Sequence, residues 1–267
     1  MNTEKSQNST AKHLTPVTFC SDLHVDYNNS ADSFVKAYEN YNGYLIVAGD
    51  FAEVANDDSV FFSAFEELFE KNSEIYVIFI CGNHEYYGST IENTHSLIAN
   101  WVEEKDMDRF FFLHEGMELF YAESTLFIGS TLWYPDHPDV YLLQNNINDF
   151  SQIQDFYQSV PIGQNARIKE RIKSIGSIKE DQIWVFHHLP SYQSVSPNYR
   201  GDRLNCYYVD PEMEKLILEQ QPRLVIHGHT HHPCMYQIGK TWVVCNPKGY
   251  GKQNAQAFNY FKHLFWI

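Results

Sequence analysis

A chain of 267 residues, 43% hydrophobic and 16% aromatic, has the material for one large core, and no apolar run reaches the roughly 18 residues of a membrane span. With 19 basic residues against 34 acidic ones the formal charge is -15, which argues against a long nucleic-acid footprint, although bound divalent cations would still admit a small anionic substrate. The five cysteines, at 20, 81, 206, 234 and 245, have no CxxC spacing and read as reduced thiols, and residues 1–15 read as a flexible N-terminal tail without a signal-peptide core. A cytoplasmic protein with a single domain over 16–267 is expected.

Val17-Thr18-Phe19-Cys20 is a short strand that delivers Ser21-Asp22-Leu23-His24. Asp22 and His24 alternate about Leu23, so in an extended segment both side chains face one ion. Apolar residues at Phe34, Val35, Ala37, Tyr38 and Tyr41 predict a helix over 31–41. Tyr44-Leu45-Ile46-Val47-Ala48 is then a buried strand ending at Gly49-Asp50, which completes a βαβ unit with an acid at the end of each strand. A helix over 57–71 carries Phe61, Phe62, Phe65, Leu68 and Phe69 on one stripe, a packing face.

Ile75-Tyr76-Val77-Ile78-Phe79-Ile80-Cys81 is an unbroken β-branched and aromatic run, the mark of a strand buried on both faces, and it breaks abruptly into Gly82-Asn83-His84-Glu85. Layered α/β sheets place their chemistry at such strand ends. After a helix over 89–104, the short β-like runs at 110–112, 118–121 and 126–129 are expected to open a second sheet. Residues 132–159 are rich in Asn, Asp, Gln, Tyr and Pro, too long for a structureless loop, and a substrate-facing cap is expected there. A helix over 162–178 turns Arg167, Lys169, Arg171 and Lys173 to solvent. The strand Ile183-Trp184-Val185-Phe186 ends in His187-His188, and a helix over 212–220 leads to the strand 223–226, which ends in His227-Gly228-His229-Thr230-His231-His232. A hairpin around Gly239-Lys240 and a last strand within 261–267 complete the chain.

The strand ends therefore collect Asp22, His24, Asp50, Asn83, His84, His187, His229 and His231. Two carboxylates, a carboxamide and five imidazoles suit divalent transition ions better than calcium, and the lack of cysteine ligands argues against structural zinc. Eight groups are too many for one tetrahedral ion, whereas two ions about 3.5 to 4 Å apart, sharing a carboxylate, accommodate them. His227 and His232 read as strand-end or rim residues, and His188 as a supporting or substrate-side group.

Asp22-x-His24, Gly49-Asp50, Gly82-Asn83-His84-Glu85, His187-His188 and Gly228-His229-x-His231 occur in the order and approximate spacing of the calcineurin-like metallophosphoesterases, which this chain resembles over most of its length. Gly129-Ser130-Thr131-Leu132-Trp133 and Asn246-Pro247-Lys248-Gly249-Tyr250 are similar to segments of uncharacterised bacterial members. The resemblance implies an α/β fold, a four-layered αββα sandwich of two mixed β-sheets with a dinuclear metal site at the strand ends. It puts Asp22, His24 and His231 on one divalent ion and Asn83, His187 and His229 on the other, with Asp50 bridging, the ions being manganese, iron, zinc or similar. His84 matches the family's catalytic histidine. The implied reaction is hydrolysis of a small phosphomonoester or phosphodiester by a hydroxide held between the ions. After Gly49-Asp50 comes Phe51-Ala52-Glu53 instead of the Asp-Arg-Gly of protein Ser/Thr phosphatases, and His84 stands where lipid A pathway hydrolases carry Arg. A small phosphorylated substrate is thus expected, with neither nucleic acid nor membrane as partner. Arg200, Arg203 and Asn205, in the loop 191–206, are candidate substrate contacts. The competing reading, a non-catalytic metal-binding interaction scaffold of the same fold, sits poorly with a motif set in which every position is filled.

Overall fold

The computed structural model describes residues 14–55, 58–176, 181–254 and 256–267. Residues 1–13 of the expected tail, the start of the helix expected at 57 and the end of the one expected at 178 lie outside them. The first sheet has strand order β11-β1-β2-β3-β4, built from β1 (Pro16–Cys20), β2 (Gly43–Ala48), β3 (Ile75–Ile80), β4 (Phe110–Phe112) and β11 (Leu264–Trp266). The second has order β5-β6-β7-β8-β10-β9, from β5 (Phe120–Ala122), β6 (Thr125–Ser130), β7 (Asp181–Phe186), β8 (Leu224–His227), β9 (Cys234–Ile238) and β10 (Thr241–Cys245). Both are mixed. In the first, β1 to β4 run parallel and β11 pairs antiparallel to β1; in the second, β5 and β9 are the antiparallel edges.

Strand alternation sorts the apolar side chains into layers. Phe19, Ile46, Ile78 and Ile80 point between the sheets, where they meet Phe127, Ile183, Val185, Ile226 and Val244. Their neighbours Cys20, Leu45, Val47, Val77 and Phe79 point outward into a cluster with α1 (Val25–Asn28), α2 (Ala31–Tyr38), α3 (Val60–Lys71) and α4 (Ile91–Glu104). On the far side Leu126, Ile128, Trp184, Phe186, Val225 and Val243 pack under α7 (Ser159–Ile175) and α8 (Glu212–Gln220). This is the αββα sandwich. Among the described residues no helix is long and apolar enough to cross a membrane, and all five cysteines are free thiols.

Helix boundaries follow local capping. Ser59 accepts a hydrogen bond from Phe61 N and Thr90 from Asn93 N, which starts α3 and α4 one turn or less inside the predicted spans. α2 stops at Tyr38 because the Asn72 side-chain amide donates to the carbonyls of Tyr38 and Tyr41 at 2.6 and 2.7 Å. Thr15 pairs with Ile267 through two backbone hydrogen bonds of 3.0 Å, so ordered pairing begins inside the predicted tail.

One expectation is corrected: Phe110-Phe111-Phe112 does not open the second sheet; it pairs in parallel with Val77, Ile78 and Phe79 as the edge of the first, covered by Trp101 of α4. The segment 132–159 has order of its own. It holds the short helices α5 (Pro138–Leu142) and α6 (Asp149–Gln152), and Trp133, Tyr134, Val140, Ile147, Ile153 and Phe156 bury themselves in the first-sheet cluster. Aromatic anchors spaced irregularly show no helical period, which is why the sequence pattern hid them.

Gly129 in β6 sits where the two sheets pack too tightly for a side chain. A Cβ there would stand 2.7 Å from Ile80 Cγ2 and 2.9 Å from Leu113 Cβ, across the inter-sheet layer. Gly129→Ala is therefore expected to overpack this layer at a cost of about 1–3 kcal/mol. Urea unfolding of the variant beside the wild type measures it, and an unchanged midpoint would mean that the sheets separate freely.

Candidate metal centre

Parallel register brings the strand ends to one edge: Cys20 lies opposite Val47, and Ala48 opposite Ile80, so the segments beginning at Ser21, Gly49 and Cys81 leave the first sheet side by side. In the second sheet Val185 lies opposite Ile226 and Cys245 opposite His227, which sets His187-His188 and Gly228-His229 at the same edge. The side chains do not converge by strand alternation, however. Asp22, His24, Asp50, His229 and His231 all have left-handed backbone, with φ of 53°, 41°, 54°, 66° and 46°. The expectation that Asp22 and His24 face together from an extended segment is thus overturned: the turn conformation of each residue aims it. Non-glycine residues held at positive φ cost free energy and cluster at functional sites.

Two groups of side chains result, each with candidate ligand atoms within 4.8 Å of one another: Asp22, His24, Asp50 and His231, and His187, His188 and His229. Asp50 links them. Its Oδ2 lies 3.7 Å from His24 Nε2 and 3.3 Å from His187 Nε2. Asp22 Oδ1 lies 3.3 Å from His231 Nε2, and His24 Nε2 lies 3.1 Å from His231 Nε2. Outer contacts orient these rings. His187 Nδ1 donates to Ala48 O and His231 Nδ1 to Gln253 Oε1, both at 2.9 Å, which leaves each Nε2 lone pair facing inward. Asn83 Nδ2 donates to Asp149 Oδ1 and Tyr87 Oη at 3.0 Å, so its Oδ1 points inward.

Several polar atoms of these residues lack partners. Asn83 Oδ1, His24 Nδ1, His84 Nδ1, His187 Nε2 and both ring nitrogens of His188 are buried without a hydrogen bond. Buried polar atoms are normally satisfied, so a cluster of orphans facing two carboxylates fits a cation-binding site. The electrostatics agree. Against the cost of burial, the imidazoles of His187, His84 and His24 hold the Asp50 carboxyl well below the usual carboxylate range, and His231 holds Asp22 low in the same way. Burial pushes His24 down to about 4, His188 down to about 3 and His229 well below its ordinary value, leaving neutral imidazoles. Burial lowers His187 as well, but Asp50 outweighs it and raises the ring to about 9, a proton occupying the place a metal ion would take.

The site's frame is Glu85. Its buried carboxylate accepts from Gly82 N at 2.6 Å, Asp50 N at 3.0 Å, Phe51 N at 2.6 Å and Ala52 N at 3.3 Å, tying the loops after β2 and β3 together. Gly82 leaves the space for this: a Cβ there would stand 2.2 Å from Asp50 Oδ1. Burial and the Asp50 charge push Glu85 up to about 8, opposed by His187 and by the backbone donors.

The sequence profile of the calcineurin-like phosphoesterase family matches residues 15–233. The chain belongs to this family. No curated protein sequence gives a significant match. Among solved structures, the phosphopantetheinyl hydrolase PptH from Mycobacterium tuberculosis aligns with a TM-score of 0.70 at 14% identity, over 94% of this chain and 95% of its own. The protein TT1561 of Thermus thermophilus aligns at 0.58 and 16% identity, over 89% and 90%. At such identities the likeness concerns the fold alone.

Of the other predicted residues, His84 lies at the rim of the site, its ring 4.7 Å from that of His24 and its Nε2 3.0 Å from Tyr250 Oη. His188 packs against Trp133 and His229 inside the second group. Asn205 lines a cavity of ≈ 250 Å³ beside His229, along with Leu189, Val195, Tyr199, Leu204 and Tyr208. Arg200 and Arg203 do not line it; both are exposed, and Arg203 is ion-paired with Asp139. Sequence reasoning missed Glu85 as the frame, Asp149 as the residue orienting Asn83, and Tyr250 and Gln253, which lie past the family match. Glu85 stood within the Gly82-Asn83-His84-Glu85 motif, an acid directly after a buried strand end. Asp149 and Gln253 carried no signal.

Glu85→Gln replaces one accepting oxygen with an N–H donor aimed at backbone N–H groups. It should lower stability by about 1–3 kcal/mol, read from denaturant unfolding; a neutral effect would show that the loops hold without this anchor.

Proposed function

We propose that this phosphoesterase hydrolyses a small phosphoester at a centre of two divalent ions. Asp22, His24 and His231 hold one ion, Asn83, His187 and His229 the other, and Asp50 lies between them. The observation that carries the reading is the set of buried, unpartnered nitrogen and oxygen atoms turned toward two low-pKa carboxylates. When bound, such ions supply Lewis-acid charge and an activated water at neutral pH. His188, beside His229 and with neither ring nitrogen bonded, reinforces the second group or touches the phosphoryl oxygens.

His84 works from the open side. Its ring stands over His24 and Tyr87, and the Tyr250 hydroxyl holds its Nε2 at 3.0 Å. From there it delivers a proton to the leaving oxygen and sets hydrogen-bonding charge against the phosphoryl group. The non-phosphate part of the substrate extends into the cavity beside His229. Leucine, valine and tyrosine side chains dominate that lining, and Asp202 is its only charged member apart from histidine. An uncharged, largely apolar arm suits it and a polyphosphate does not, since further anions would find no cation there. The Mycobacterium tuberculosis neighbour is named for a phosphopantetheinyl substrate; at its identity the substrate reading rests on the cavity.

Activity after EDTA treatment and readdition of manganese, on bis-p-nitrophenyl phosphate beside p-nitrophenyl phosphate, tests the reaction and its preference for diester or monoester. His84→Ala should keep its metal and lose about 100-fold to 10,000-fold in kcat; wild-type turnover in a metal-replete variant would remove His84 from the chemistry. Asp50→Asn should fail to retain two ions per chain by elemental analysis, and full retention would contradict its position between them.

A further inference from the structure

On the face of the second sheet that turns Tyr236 and Val243 toward α8, two cysteines oppose each other across the β9–β10 hairpin. Cys234 and Cys245 are register partners in the antiparallel ladder. Directly opposed residues in such a ladder have Cα atoms about 4.5–5.5 Å apart, inside the roughly 4.4–6.8 Å that a disulfide spans. Their side chains project to the same side of the ladder.

The surroundings make the pair chemically unequal. Cys234 is partly exposed, and its Sγ lies 3.5 Å from His227 Nε2; Cys245 is fully buried, and its Sγ contacts Gly228 O at 3.9 Å. The neighbouring Cys245 and His227 draw the Cys234 thiol below its ordinary range, whereas burial pushes Cys245 well above it. The partly exposed sulfur thus sits where its thiolate is favoured, directly across from a buried sulfur where the thiol is favoured. The remaining cysteines differ. Cys20, Cys81 and Cys206 are buried, and burial raises each of them.

We propose that Cys234 and Cys245 form a site of reversible disulfide formation by peroxide. The Cys234 thiolate attacks one oxygen of hydrogen peroxide; an S–O bond forms, the O–O bond breaks, and hydroxide leaves, giving a sulfenic acid at Cys234. Cys245 Sγ then attacks the Cys234 sulfur. The S–S bond forms, the S–O bond breaks, and the departing oxygen takes the Cys245 proton and leaves as water. Two thiol sulfurs lose two electrons and the peroxide gains them. The new bond joins the strand that leaves the His229–His231 turn to the strand leading into Asn246-Pro247-Lys248-Gly249, whose backbone holds Ser21 and Asp22. It stands independently of any phosphoester substrate.

The test uses the purified wild-type protein, treated with hydrogen peroxide, alkylated and digested with trypsin, which cleaves at Lys240 between the two cysteines. The thiol titre should fall from five to three, and a cross-linked pair of peptides containing Cys234 and Cys245 should appear, both effects reversed by dithiothreitol. C245S should stop at a dimedone-reactive sulfenic acid on Cys234, and C234S should form neither product. Five retained thiols, a bond to Cys20, Cys81 or Cys206, or irreversible oxidation of wild-type Cys234 without a cross-link would each overturn the proposal. The wild-type peptide map decides the matter even if a serine variant fails to fold.

Discussion

Everything at the strand ends depends on backbone N–H groups being held by carboxylates. Glu85 takes four of them, from the two loops that carry Asp50 and Asn83. The carboxylates proposed as ligands do the same for each other's loops: Asp22 Oδ1 accepts from His229 N at 2.9 Å, and Asp50 Oδ1 from His84 N at 3.0 Å. Left-handed backbone at five of the site residues is unfavourable by about 1–3 kcal/mol each when unsupported. These charge-assisted hydrogen bonds hold it in place. The geometry of the centre is therefore a property of the loops before any ion enters, and a change at Glu85 propagates to residues it never touches.

Electrostatically the centre is the reverse of the molecule around it. The chain carries a net charge of -15, yet four of its seven proposed ligands are imidazoles, two of which, His24 and His229, burial keeps neutral, with only two carboxylates among them. The nearby cavity adds no positive residue besides histidine. Under the proposed function, recognition of an anionic phosphoryl group is left to bound cations and His84, while the rest of a substrate meets leucine and tyrosine, a division that favours a single phosphate on an uncharged body.

Much of this was legible in the sequence because buried parallel strands leave a blunt signature. The runs ending at Cys20, Ala48, Phe186 and His227 are short, apolar and followed at once by polar residues, so strand ends and candidate ligands came out together. Turn chemistry was not legible. Nothing in Ser21-Asp22-Leu23-His24 tells an extended segment from one with two left-handed residues, since that conformation is imposed by hydrogen bonds of Asp22, to the Gly49 carbonyl and from Gly249 N, residues distant in sequence. The assignment of Phe110-Phe111-Phe112 to the wrong sheet has a similar origin: three aromatic residues specify a strand but not a neighbour. The segment 132–159 was obscure because its order comes from buried aromatic anchors and from Asp149 reaching Asn83, contacts without period.

The hydrogen bond between Asp22 and His229 spans 207 residues of chain. At the roughly 5–20 residues per second of ribosomal synthesis, roughly 10 to 40 seconds separate the emergence of these two partners. During that interval Asp22 lacks both the His229 N–H that its carboxylate accepts and the Gly249 N–H that donates to its carbonyl. The turn that aims Asp22 and His24 is therefore completed only by the last part of the chain to be made, and the first strand end takes its finished form after the second sheet has docked.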